Sequence, residues 1–141
     1  MKKVIVVLTV CLLLSGCNEK KLECEKKDNY WESIDVVENY ELTFDGKEIT
    51  DISYDKDMKV TGDLINDMEI LRRSYASDYE MIDSSDLVVE SNVDNDKIEI
   101  EVDANYNKLS DEEKKVFSEI TDKSSLEETK KLLESKGYKC K

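Results

Sequence analysis

The sequence of 141 residues contains no histidine. Its absence excludes nucleophilic sites that pair serine or cysteine with histidine, and it removes the usual ligands of transition metals. Glycine is also scarce, with four in the chain, and none of them belongs to a glycine-rich phosphate-binding loop. Pairs of carboxylates are the catalytic device that remains, but among 34 acidic residues some pair will meet the spacing of about 5 to 10 Å that glycosidases need by chance. We therefore predict that the protein is not an enzyme and uses no cofactor. An enzyme that works with a carboxylate pair is the alternative.

Basic residues are few, 21 against 34 acidic ones, which gives a formal charge of −13. We expect no nucleic-acid partner, because phosphate binding depends on cationic side chains. Two acidic stretches, residues 51–62 and 92–96, carry the oxygen ligands that calcium prefers. A lysine stands where an EF-hand loop needs its third oxygen, however, and residues 94–96 run into a predicted strand. Solvated turns and no metal site are therefore the favoured interpretation, and an acidic cation-binding surface is an alternative.

The N-terminus differs from the rest of the chain. Lys2 and Lys3 precede an uncharged run from residue 4 to residue 14, roughly half the length of about 20 residues that a spanning helix needs. These features are typical of a secretory signal peptide. Residues 14–17, Leu-Ser-Gly-Cys, resemble the lipobox of bacterial lipoproteins, in which the cysteine thiol accepts a diacylglyceryl group and cleavage follows on its N-terminal side. The resemblance implies that residues 1–16 are the signal peptide and that Cys17 is lipidated.

The mature chain would then sit on the outer face of the cytoplasmic membrane. Its signal peptide contains two lysines and no acid, so cleavage changes the formal charge from −13 to −15. An anionic membrane surface repels such a domain, and the two acyl chains must therefore hold it, since stable anchoring takes about two lipid signals. Residues 17–21 form the lipidated N-terminus and a short tether, and residues 22–141 form one domain.

Cys24 and Cys140 remain after the signal peptide and the lipidation site are set aside. An even pair in an exported protein favours a disulfide, which here would join the two ends of the domain. Two free thiols, or pairing with another chain, are the alternatives. The sequence contains no Cys-x-x-Cys pattern, which argues against a redox-catalytic role.

Alternating apolar residues predict strands near residues 22–25, 34–44, 49–54, 87–90 and 97–103. The second of these is interrupted near Val37. Asp45-Gly46 predicts a hairpin turn, residues 92–96 predict a second hairpin, and the spacing from Ile49 to Ile52 indicates a bulge.

Helical periodicity replaces alternation in residues 63–82, where apolar residues recur every three or four positions. Ser110 and Ser125 are each followed three residues later by glutamate, the capping-box spacing, and predict two short helices near the C-terminus. Tyr138 to Cys140 are expected to lie beside the first strand. The predicted fold is α+β, an antiparallel sheet of about four or five strands with helices packed on one face.

This arrangement, with the lipobox, a first strand bearing Leu22-Glu23-Cys24-Glu25 and the terminal Gly137-Tyr138-Lys139-Cys140, resembles the small YehR-like lipoproteins of Gram-positive bacteria. The resemblance implies an α+β lipoprotein and carries no catalytic residues, because members of that family have no assigned activity.

Tyr30 and Trp31 belong to neither of the alternating sets around them, and Asp28 and Asn29 before them are turn-forming residues. An exposed aromatic pair is typical of a contact with a protein or a glycan. Packing over the sheet edge is the other interpretation. We predict a binding or interaction module whose partner is an unknown protein or envelope ligand.

Overall fold

In the computed structural model, which describes residues 19–141, six strands form one antiparallel sheet in the order β4-β5-β3-β2-β1-β6. The predicted α+β class agrees with this structure, whereas the predicted count of four or five strands was wrong. The additional strand is the C-terminal pair of residues that lies on β1. The strands are β1 (Glu19–Tyr30), β2 (Ile34–Asp45), β3 (Glu48–Val60), β4 (Leu87–Asp94), β5 (Lys97–Ala104) and β6 (Lys139–Cys140).

Two helices, α1 (Met68–Glu80) and α2 (Leu126–Ser135), accompany the sheet, with short 3-10 helices at Gly62–Asp67, Tyr106–Lys108 and Glu113–Val116. The periodic segment 63–82 therefore forms a 3-10 turn followed by α1, as its spacing predicts. Within residues 19–141, no helix has the length and apolar composition needed to cross a bilayer.

Both predicted hairpins are confirmed. Gly46, with a φ of +62°, follows Asp45 in the turn between β2 and β3, where a left-handed backbone favours glycine. The turn between β4 and β5 is centred on Asn95, another residue that tolerates this conformation. The pairing of β2 with β3 shifts between Thr43 and Phe44, so that one additional residue on β3 forms the expected bulge.

One face of the sheet is buried beneath the helices and the C-terminal loops, and we call it the covered face. Every second residue of β2 from Ile34 to Phe44 lies there, without the interruption predicted near Val37. Helix α1 contributes the buried Met68 and Ala76. The largest fully buried side chains of the core include Leu22, Leu42, Phe44, Ile52, Ile98, Ile100, Tyr106, Phe117 and Leu133.

The C-terminal helix is confirmed with its capping box, in which the Ser125 hydroxyl accepts from the Glu128 N–H and the Glu128 carboxylate accepts from the Ser125 N–H. The helix predicted after Ser110 was wrong. Ser110 and Glu113 make the same two hydrogen bonds, but they start only a single 3-10 turn. The chain leaves helical geometry at Phe117, whose side chain is fully buried in the core.

A disulfide joins Cys24 on β1 to Cys140 on β6, as the sequence favours, with their Cα atoms 4.1 Å apart. Backbone hydrogen bonds in both directions between Glu23 and Lys141 extend this contact to the end of the chain. Residues 19–21, assigned to the tether from sequence, lie in β1 and pair with β2. The signal peptide and the lipidation site Cys17 lie outside the described residues.

Candidate functional site

The opposite face of the sheet carries exposed or half-exposed side chains from every long strand, and we call it the open face. Charged residues occur on both faces. On the covered face the charged residues have partners of opposite charge and form a structural cluster. On the open face a group of acids in the described part of the chain lacks such partners and forms a candidate binding surface.

On the covered face, Glu38 and Lys56 interrupt rows that are otherwise apolar or aromatic. They are directly opposite each other on β2 and β3, and Lys56 Nζ is 2.9 Å from Glu38 Oε1. Glu38 is only 7% exposed. The hydroxyl of Tyr54 donates a hydrogen bond of 3.0 Å to its carboxylate, and the hydroxyl oxygen of Tyr138 lies at the same distance from it. The charge is therefore buried together with the donors that a buried carboxylate requires.

The pKa of Glu38 reflects this balance. Burial alone would raise the pKa, but the ammonium of Lys56 and the hydrogen bonds from Lys56, Tyr54 and Tyr138 outweigh burial and hold it below its ordinary value. Lys56 also lies over the ring of Tyr75, at 4.8 Å from Nζ to the centroid.

A second carboxylate approaches this cluster. The Tyr138 hydroxyl oxygen lies 2.7 Å from Glu119 Oε2 and 3.0 Å from Glu38 Oε2, although its one proton serves a single acceptor at a time. A glycosidase would need room for substrate or water between its two carboxyl groups. A tyrosine side chain fills that position here, so the pair gives no support to the carboxylate-pair alternative. The cluster fixes the C-terminal segment to the sheet.

On the open face, the register of the sheet aligns acids across neighbouring strands. Asp55 on β3 is directly opposite Glu101 on β5, which is opposite Glu90 on β4. Asp57 is opposite Glu99 one step further along. Like charges that face each other across strands are destabilising.

These acids also lack cationic partners. Six acids of this face form no ion pair: within residues 19–141, no lysine or arginine nitrogen lies within 4 Å of their carboxylate oxygens. We call the group the acidic patch; it consists of Asp55, Asp57, Glu90, Glu99, Glu101 and Asp103.

Two carboxylates of the acidic patch, Asp55 and Asp57, have raised pKa values. Partial burial, followed by the charges of Glu101, Asp57 and Asp103, raises the pKa of Asp55 to about 6 from its ordinary value of 3.8. Burial and the neighbouring Glu99 likewise raise the pKa of Asp57, although the charge of Lys97 partly opposes them. Burial is the largest cause of both shifts, and repulsion between neighbouring carboxylates adds to it.

On the β1 side of the open face, by contrast, several acids form ion pairs. Glu41 forms an ion pair with Lys21, and Lys141 Nζ is 3.3 Å from Glu23 Oε2. These ion pairs of the open face lie beside β1, outside the acidic patch.

Two adjoining depressions of about 440 and 350 Å³ lie on this face and share Glu41 and Ser53 in their walls. The larger is also lined by Asp55 and the smaller by Asp103. Two residues of the acidic patch therefore border concave surface. Within residues 19–141, no group of three or more residues has the arrangement needed to hold a metal ion.

The structure separates the two aromatic residues predicted as a partner contact. Tyr30 ends β1 and is half-buried, with its ring 6.3 Å from that of Tyr75. Trp31 is 72% exposed. The turn expected at Asp28 and Asn29 was wrong, because strand pairing continues to Tyr30 and the Asn29 amide donates to Asp35 across the two strands at 2.7 Å.

The turn at Trp31 is strained. Trp31 and Glu32 have φ values of +52° and +57°, and the Ser33 N–H donates to the Tyr30 carbonyl at 3.1 Å. Two consecutive left-handed residues form a hairpin turn that normally takes asparagine and glycine. The strain holds an exposed tryptophan at one end of the sheet, and strain of this kind often marks a functional residue.

Sequence reasoning missed the Glu38–Lys56 pair and the acidic patch. In an alternating strand, Glu38 falls on the same face as Val36 and Tyr40. Lys56 likewise falls on the same face as Tyr54 and Met58. Alternation alone could therefore have placed both charges on the buried face of the sheet. The acidic patch could not be found in this way, because it depends on which residues of β3, β5 and β4 are opposite one another.

No family model matches the chain, and no curated protein matches it. The fold is similar to that of a protein from Streptococcus pneumoniae TIGR4 solved by NMR, with a TM-score of 0.54 and 9% sequence identity. That match covers 100% of this chain and 96% of the other chain. At this level of identity the similarity concerns the fold alone.

Proposed function

We propose that this protein is a membrane-anchored, extracytoplasmic binding module whose acidic patch binds a cationic surface of a partner protein or peptide. The single observation that carries the binding role is the row of unpaired, mutually opposed carboxylates on the open face. The anchor rests on the sequence around Cys17, which resembles a lipobox.

Electrostatics supports a cationic partner. The free protein bears the repulsion between Asp55 and Glu101, and lysine or arginine side chains of a partner would replace that repulsion with attraction. The negative electrostatic field of the patch also raises the association rate with a cationic surface, and salt reduces this effect. Binding should therefore be fast and strongly dependent on ionic strength.

The direction of β1 supports an exposed position for the far end of the domain. β1 begins two residues after Cys17 and runs from Glu19 to Tyr30, a distance of about 36 Å at the usual rise of a strand. On a protein anchored at Cys17, Trp31 would lie at the end remote from the anchor. It is a second candidate contact for the same partner.

The binding role is tested with matched variants of the full chain in a neutral detergent. Asp55→Asn, Glu101→Gln and Asp103→Asn are combined in one variant. Asp78→Asn, Glu127→Gln and Glu134→Gln, all on exposed helix positions, are combined in the control. The probe is a ten-lysine peptide, whose affinity is measured by fluorescence anisotropy at low salt.

We expect the patch variant to bind the peptide at least tenfold more weakly, and the control variant to change affinity less than twofold. Both variants lose the same formal charge, so equal weakening would mean that net charge alone governs binding and would contradict the proposal. Displacement of the peptide by millimolar calcium but not by the same ionic strength of sodium would favour the cation-binding alternative.

The anchor has a separate test. Cys17→Ser should release the protein from the membrane fraction and block normal processing. Mass spectrometry of the wild-type protein should find the lipid on residue 17, and an unmodified residue 17 with the leader still attached would contradict this part of the proposal.

A further inference from the structure

The two edges of the sheet are protected to different degrees. Natural proteins protect edge strands from pairing by lysine, proline, bulges, short length or a covering segment. On the β1 edge, β6 covers Cys24 and Glu25, and Lys26 and Lys27 follow directly.

The β4 edge has few of these devices. Within the described residues β4 pairs with β5 alone, over eight residues in continuous register. Its sequence, LVVESNVD, contains no lysine and no proline. β4 therefore presents a regular strand edge of sufficient length to accept another strand.

A groove of about 670 Å³ lies between β4 and α1, next to this edge. Half-exposed Val89 and Val93 line its strand side. Arg72 lines the helix side and is fixed by Glu69 and Glu80, at 3.1 and 3.0 Å from its guanidinium nitrogens. Ser91 lies between the two valines and is hydrogen-bonded to Arg72 and Glu80, so the groove is mainly polar. Val89 and Val93 supply two apolar contacts for side chains that point to the covered side of an added strand.

The other side chains of β4 point to the open face. Glu90 and Asp94 are exposed there, and Glu90 belongs to the acidic patch. A strand placed beside β4 would direct its alternate side chains toward these acids. A second copy of this chain would instead bring the acids of one β4 close to those of the other, so charge disfavours self-pairing.

We infer that the free edge of β4 accepts an extended segment of the partner in which basic and apolar residues alternate, and that this segment forms a seventh strand. Its apolar side chains lie in the groove against Val89 and Val93, and its basic side chains face Glu90 and Asp94. The inference rests on the proposed function, because it specifies how the cationic partner is held.

The test uses two peptides of equal charge with the full chain in a neutral detergent. One is a ten-residue peptide of alternating lysine and valine. The other has the same sequence with an N-methyl group on every residue, which removes the N–H groups needed for strand pairing along both edges of the peptide. We expect the unmethylated peptide to bind at least tenfold more tightly and to slow hydrogen exchange at backbone amides of residues 88–94.

A peptide with five lysines followed by five valines checks the alternation and should bind more weakly than the alternating one. Equal affinity for the methylated and unmethylated peptides, while the ten-lysine peptide still depends on the acidic patch, would overturn strand addition and leave the proposed function standing. No binding of any cationic peptide would overturn both. Self-association of the protein alone, detected by analytical ultracentrifugation and accompanied by slowed hydrogen exchange at residues 88–94, would assign the edge to a second copy and overturn the inference.

Discussion

Asp55 and Lys56 are consecutive residues on β3 that point to opposite faces of the sheet, and their environments differ sharply. Lys56 meets a buried carboxylate and two aromatic rings, and Glu38 opposite it has a lowered pKa. Asp55 meets another acid, and its pKa is raised to about 6. On the covered face, charge is matched with partners and stabilises the fold. On the open face, the acidic patch has no ion-pair partner within residues 19–141 and its carboxylates oppose one another, which lowers stability. We propose that this charge serves binding, a role for which proteins often give up stability.

Removal of the disulfide should have the largest effect, because it holds the segment that supplies Tyr138 to the covered face. Cys24→Ala with Cys140→Ala opens a loop with a sequence separation of 116. The chain-entropy model gives a loss of about 4 to 5 kcal/mol in the free energy of unfolding. Urea denaturation measures it, and wild-type protein under reducing conditions should show a similar loss. A loss below about 1 kcal/mol would mean that the disulfide contributes little to the stability of the fold.

Breaking the covered-face pair should have the next largest effect. Lys56→Met leaves the carboxylate of Glu38 buried without its cation and should lower the free energy of unfolding by about 3 kcal/mol. The matched control is Lys21→Met, which breaks an exposed ion pair on the open face and should cost less than about 1 kcal/mol.

A double variant, Glu38→Leu with Lys56→Met, should be more stable than Lys56→Met alone, because no uncompensated buried charge remains. If urea denaturation gave the same decrease in the free energy of unfolding for Lys56→Met and Lys21→Met, the ion pair on the covered face would be no more stabilising than the exposed pair on the open face.

Neutralising Asp55 should stabilise the protein, unlike the substitutions at Lys56 and at the disulfide. Its folded-state pKa lies above its ordinary value, so its ionised form destabilises the fold above about pH 6, and this penalty fades as the pH falls from 6 toward 3.8. Asp55→Asn should therefore raise the free energy of unfolding by about 1 kcal/mol near neutral pH, after allowance for solvent screening, and by little near pH 4 in thermal melts.

Two comparisons check this prediction. Glu41→Gln on the same face, whose carboxylate is paired with Lys21, should give no gain. Glu38→Gln should destabilise the protein, and its deficit should shrink at low pH, because the lowered pKa of Glu38 stabilises the fold only while the carboxylate is ionised. Destabilisation by Asp55→Asn at neutral pH would contradict the account of the acidic patch.

The smallest effect is expected at the strained turn. Trp31→Asn with Glu32→Gly supplies the residues that a turn with two positive φ values favours, and should raise the free energy of unfolding by up to about 1 kcal/mol. Circular dichroism during thermal unfolding measures this gain. In the wild type, the fluorescence of this single tryptophan should be water-like and readily quenched by iodide, whereas a blue-shifted, protected emission would place the side chain in contact with the protein.

Local signals in the sequence predicted much of the fold. Alternation identified the strands, Asp45-Gly46 identified a hairpin, and Ser125 with Glu128 identified the start of α2, because each is a short-range rule. The same rules failed after Ser110, where burial of Phe117 overrides a satisfied cap.

The candidate site was less accessible to sequence reasoning. Asp55, Glu90 and Glu101 are separated by up to 46 positions and meet only through the register of three strands. Local patterns do not contain that register. Trp31 was predicted as a contact because its type and its position between strands are visible in the sequence, whereas the strained turn that exposes it is a property of the backbone.

The most direct measurement of the central claim is an NMR titration of isotopically labelled protein with the ten-lysine peptide, followed at the side-chain carboxyl carbons. The account predicts that the largest shifts fall on Asp55, Glu101 and Glu90 and that the apparent pKa of Asp55 falls from about 6 as the peptide binds. Shifts confined to acids of α1 and α2, or an unchanged pKa of Asp55 at saturation, would contradict it.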